Sequence, residues 1–349
     1  MKAGTIKTEN MRLNVSLLLT YLFLGIITGW MSFYSRPMKV ALASRFHQTI
    51  WDNFSERGKG GRSEDILIEN ITIGNVLIKV HASRILFPAL MQIPMKLGIS
   101  GEMSFAFLRL ISIIVTYILF HLFLRQWFSH ELAFCGTLFL AATITLTFNN
   151  YFEIPTDFIE VIIFTLGVRA IYRAEYFWFC LIVVIGTLNR ESAAVLPFFL
   201  FFRLFSLKKA AWLIPVFISG LCWLIPLLAL RWWTGTLEPH AYGAGWSHNL
   251  PGLAQLLTNP HPYNNYVFWL YLFGAFWFLP FTGWKRQPVF FKRLLPGVPV
   301  FVLIYILIGA HFDEPKQIIN LYPLLVPAGL FALFPDSSSQ VASSAPPQE

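Results

Sequence analysis

Asn189-Arg190-Glu191-Ser192 lies between two short apolar runs that leave no room for a loop. Ionisable groups in such a place are costly and usually face a cavity or one another. An arginine fork matches a phosphate or diphosphate in two-point contact, and Glu191 is placed to hold Arg190 in position. The plainer reading is an ion pair that joins two helices. Carboxylates that suit general-base work lie in an earlier segment: Asp52, Glu56, the adjacent pair Glu64-Asp65, and Glu69. A weak nucleophile such as a sugar hydroxyl needs a carboxylate within hydrogen-bond reach to take its proton. Asp65 is the best placed of these, because it borders an apolar stretch returning to the membrane; for each of them a solvated loop charge is the simpler account.

Asp157 and Glu160 are three apart at a helix start and so share a face. Helix capping also explains Asp157, but Glu160 lies deeper, where Arg109 or His121 are candidate partners. Asp313-Glu314-Pro315-Lys316 precedes the last apolar run. Lys316 suits a phosphate contact with Glu314 orienting it, and Pro315 suits the first turn of a helix. His240, His248 and His261 lack metal-ligand spacing, and no phosphate-binding loop, dinucleotide fingerprint or zinc-protease motif is present. An enzyme of this sequence would therefore use a membrane-soluble activated donor.

The elements that must position these residues are apolar. Of 349 residues, 56% are hydrophobic and only 13% charged, with mean hydropathy +0.59. Soluble domains carry roughly 25% charged residues, so the composition indicates an all-α, polytopic membrane bundle. The run 13–33 is long enough to cross a bilayer and reads as an uncleaved first helix. Further spans are expected near 104–124, 131–149, 157–173, 176–189, 193–207, 210–230, 266–283, 295–311 and 318–334, about ten in all. The net charge of +8 needs no nucleic acid, since basic residues anchor cytoplasmic loops to anionic lipid. Cys135, Cys180 and Cys222 sit inside apolar runs and read as packing residues.

The charges give an orientation. The N-terminal segment and alternate gaps carry Lys2, Lys7, Arg12, Arg125, Arg169, Arg173, Arg203, Lys208, Lys209, Lys285, Arg286, Lys292 and Arg293; the opposite short gaps carry Arg190, Arg231 and Lys316. That is a strong positive-inside bias, and it places both termini in the cytoplasm. Residues 1–334 then form the transmembrane domain. Within it, 34–103 is a long extracytoplasmic loop, with the Pro-broken segment 85–97 as a re-entrant or interfacial helix. Residues 335–349, rich in Ser, Ala and Pro, are expected to be a disordered cytoplasmic tail. The reactive residues all fall on the face that lacks the basic clusters.

Taken together, the carboxylate-bearing first outer loop, Gly186-Thr187-Leu188-Asn189-Arg190-Glu191-Ser192, Ser83-Arg84-Ile85-Leu86-Phe87-Pro88 and His311-Phe312-Asp313-Glu314-Pro315-Lys316 resemble patterns of the integral-membrane glycosyltransferases of the C superfamily. The resemblance implies a polyprenyl-phosphate sugar donor and a glycan, lipid or protein acceptor. It further implies a catalytic acid in the first outer loop (Asp65 or Glu64) and transfer on the outer face of a bacterial inner membrane. Arg84, Arg190 and Lys316 would hold the phosphate, with Glu191, Asp157 and Glu314 beside them. No cofactor is required, although clustered carboxylates suit Mg²⁺ or Mn²⁺. The family's acidic pair is here the reversed Glu64-Asp65, about thirty residues beyond the first helix, and Lys316 stands where arginine is usual. A different function, a flippase, polymerase or secondary transporter of lipid-linked saccharide, would use Arg109, His121, Glu160 and Arg190 as an intramembrane path. A third reading is a non-catalytic membrane scaffold.

Overall fold

The computed structural model describes residues 15–34, 38–57, 84–147, 154–205, 213–235, 254, 270–308 and 315–335. Among them all regular structure is helical. The α-helices are α1 (Val15–Tyr34), α2 (Met38–Arg57), α3 (Leu86–Lys96), α4 (Gly101–Leu124), α5 (His130–Ile144), α6 (Ile154–Arg173), α7 (Tyr176–Asn189), α8 (Val195–Phe205) and α9 (Leu213–Thr234). They are followed by α10 (Leu279–Thr282), α11 (Val289–Leu294), α12 (Gly297–Ile308) and α13 (Tyr322–Leu333). Short 3-10 turns at 191–194 and 315–321 lead into α8 and α13.

Local chemistry explains several boundaries. Ser100 accepts the Met103 backbone N–H (3.3 Å) at the start of α4, and Ser129 accepts that of Leu132 (3.4 Å) at the start of α5. Both are N-caps followed by an acid in the first turn, Glu102 and Glu131. The chain leaves α6 through Ala174 at φ 57°, which reverses it within two residues into α7.

Helix α6 is central, packed by α4, α7, α8, α13 and the 315–321 turn. Its apolar side chains join one large core with α4, α5, α8, α11 and α13. A second, smaller core holds Ala43, Phe46 and Ile50 of α2 against Phe87, Met91 and Phe105. The expected loop at 34–103 thus contains a full helix, α2. Asp52, read as a loop carboxylate, is an exposed residue of that helix. The segment 85–97 does form a helix, with Phe87, Pro88, Met91 and Pro94 buried against its neighbours.

Four helical stretches are long and apolar enough to cross a membrane: 101–124, 130–147, 213–234 and 316–333. Several other expected spans form helices that are shorter or more charged. For example, α8 has 11 residues and α12 has 12, while α6 carries Asp157, Glu160, Arg169 and Arg173 within its 20. Faces of α1 and α9 remain apolar and exposed at helical spacing, as with Phe23 at 62% and Phe217 at 67%, the surface expected of helices that meet lipid.

Candidate functional site

Polar side chains from five parts of the chain gather at the N-terminal end of α6. Asp157 and Glu160 emerge there from one face, as their spacing requires. The backbone between α7 and the 191–194 turn opens at Arg190 into an extended conformation, φ −157° and ψ 149°. Extended residues send successive side chains to opposite sides, so Arg190 turns inward and Glu191 outward. Arg190 Nη1 donates to Glu160 Oε2 (2.8 Å), and Nη2 pairs with Asp157 and lies 3.3 Å from Thr156 Oγ1. Ser192 Oγ donates to the other Glu160 oxygen (2.7 Å), and Asn189 Nδ2 donates to the Thr156 carbonyl (3.0 Å). Arg190, Asp157 and Glu160 are almost wholly inaccessible to solvent.

Glu191 serves a second, shallower group. Its carboxylate meets Arg84 at 3.7 Å and Arg231 at 3.9 Å, while Trp223 Nε1 donates to its backbone carbonyl (3.0 Å). Arg84 is 18% exposed, Glu191 27% and Arg231 39%, so this group lies at the mouth above the buried one. Tyr305 of α12 donates to Gln317 (3.2 Å), next to the buried Lys316. The 315–321 turn packs against α6 and against residues 145–147, which precede that helix.

The structure therefore unites Arg84, Asp157, Arg190 and Glu191, with Lys316 on the adjoining turn. It corrects two pairings. Glu191 does not hold Arg190; Asp157 and Glu160 do, because the extended residue 190 separates the two side chains. Glu160 is not answered by Arg109 or His121. His121 Nδ1 is hydrogen-bonded to the Tyr21 hydroxyl (2.7 Å) near the far end of α4, twelve residues or about 18 Å along that helix from Arg109. Arg109 is buried in its own right. Arg231 and Ser192 are contributors that the site reading lacked: Arg231 stood in the sequence only as one of three cations in the base-poor gaps. Glu64, Asp65, Glu314 and the three histidines of 240–261 lie outside the described residues. Of the cysteines read as packing residues, Cys222 packs against the core and Cys135 is exposed.

Chemically, the deep group is a carboxylate–guanidinium–carboxylate clamp withdrawn from water. The mouth group joins two guanidinium groups through one carboxylate at distances that leave room to rearrange. Among the described residues no group of three His, Cys, Asp or Glu could hold a metal ion. No protein-family model, curated protein or solved structure matches this chain.

Proposed function

We propose that the chain is a multi-pass membrane glycosyltransferase, of about ten spans with both termini cytoplasmic, that transfers a sugar from a polyprenyl-phosphate donor to an acceptor on the outer face. The observation that carries the reading is the pair of arginines, Arg84 and Arg231, sharing a partly exposed Glu191 above the buried clamp. Two cations 3.7 and 3.9 Å from one carboxylate suit exchange of that carboxylate for a phosphate, and guanidinium groups favour such two-point contact. Arg190, held by two carboxylates, is in this reading the support beneath the donor, and Arg84, Arg231 and Lys316 are its phosphate contacts. Asp65 or Glu64 takes the proton from the acceptor hydroxyl as its oxygen attacks the anomeric carbon. The carbon–oxygen bond to phosphate breaks, and the cations stabilise the departing polyprenyl phosphate. A divalent ion is not required by this scheme.

The test is a mass profile of envelope glycans and lipid-linked sugars in cells lacking the gene, complemented by wild type, Asp65→Asn or Arg231→Gln. Loss of one sugar-sized increment, restored by wild type alone, is expected. Intact glycans with a precursor held on the cytoplasmic leaflet would replace the transferase by a transporter. A profile indifferent to the gene would remove both.

A further inference from the structure

The opposite end of α6 carries the reverse charge. Arg169 and Arg173 lie in its last two turns, sixteen residues or about 24 Å from Asp157 in the case of Arg173. Arg203 comes from the last turn of α8, and Lys292 and Arg293 from α11. An aromatic floor brings these elements together: Tyr172 meets Phe290 at 5.0 Å between ring centroids. Arg203 lies over Phe290 (5.8 Å) and donates to the Tyr172 carbonyl (3.4 Å). Packing therefore forces like charges into company. Arg169 and Arg173 stand one turn apart on α6, α11 packs against α8, which carries Arg203, and Arg169, Arg203, Lys292 and Arg293 are all partly withdrawn from water. Glu175 meets Arg173 at 3.7 Å. Glu131, in the first turn of α5, follows Trp127, which meets Tyr172 at 5.1 Å, and so also stands at this end, whereas the remaining acidic side chains described stand on α2, on the 191–194 turn or at the starts of α4 and α6.

Half-buried cations on three converging elements are stabilised by an anion that all of them can reach. We infer that this end binds the phosphate headgroup of an anionic membrane lipid, seated between Arg203 and Arg293 with Arg169 and Arg173 at its edge. The source is a lipid because the exposed apolar surfaces of the adjoining helices, including Phe177 and Trp178 at the start of α7, offer a place for acyl chains beside the charge. The inference stands apart from the transferase reading and concerns the other end of the molecule.

The full chain, delipidated in maltoside micelles, would be titrated with phosphatidylglycerol or phosphatidylcholine, and bound lipid counted by native mass spectrometry. Phosphatidylglycerol is expected to be retained preferentially. The pair Arg203→Gln and Arg293→Gln should weaken retention about thirtyfold, taking about fivefold for each basic side chain near the headgroups. Arg203→Lys with Arg293→Lys should keep the preference, and it decides the matter if the glutamine pair fails to fold. Equal retention of both lipids overturns the inference, as does unchanged retention in the glutamine pair. Displacement of the lipid by millimolar inorganic phosphate would mean a soluble anion instead.

Discussion

At the scale of single residues, the two groups at the N-terminal end of α6 differ in what holds them. The deep clamp is out of water, so removing one member strands the charge of another. Arg190→Ala is expected to lower stability by about 3–5 kcal/mol. Glu191→Gln, at a partly exposed pair where solvent screens the interaction, should cost less than about 1 kcal/mol. Unfolding in micelles monitored by tryptophan fluorescence would check both; equal losses would refute the division into a deep and a shallow group. The residues themselves were legible in the sequence because charges within apolar runs stand out. Their pairing was not. Asp157 and Glu160 share a face by spacing alone, but the direction of Arg190 depends on one extended residue between helices, which no periodicity reveals. Arg231 went unread as a site residue for a related reason, since the proximity of α9 to Arg84 is a tertiary fact.

At the scale of elements, apolar runs foretold helices where hydrophobicity was continuous, and missed α2, whose polar and apolar residues are mixed. Its apolar side chains, such as Phe46 and Ile50, find partners only when α3 and α4 pack on them. Helix approach is set in places by the want of a side chain. A Cβ on Gly283 would lie 2.4 Å from the Ala332 Cβ and 2.8 Å from its Cα, so backbone must move. On Gly167 it would meet the terminal methyl groups of Leu196 at 2.6 and 2.9 Å, which rotate aside more easily. Gly283→Ala should therefore cost about 1–3 kcal/mol by overpacking, and Gly167→Ala less. Comparison of the two thermal midpoints in the same detergent tests this, and the reverse order would disprove it.

At the scale of the whole molecule, helix α6 carries acids at its first turns and bases at its last, each sign favourably placed against the helix dipole. The two ends lie roughly a bilayer core apart, which accords with the outward and cytoplasmic faces proposed above. In a variant lacking the three native cysteines, Arg231→Cys should react with an impermeant maleimide in intact cells, and Arg286→Cys only after permeabilisation. The opposite pattern would invert the topology and move the proposed chemistry to the cytoplasm. The segregation of acids and bases to opposite ends of α6 was legible in the spacing of its charges, whereas the lengths of the helices did not follow from hydropathy. The 191–194 turn, for example, takes residues that an apolar run counts as span.

Trp233 Nε1 donates to the Phe54 carbonyl (2.9 Å), and Arg84 shares Glu191 with Arg231. The chain is thus fastened to the same end of α9 shortly before residue 58 and immediately after residue 83. One end of α9 is a shared fastening for two segments distant in sequence, so a displacement of that end is felt by α2 and by the approach to α3 together.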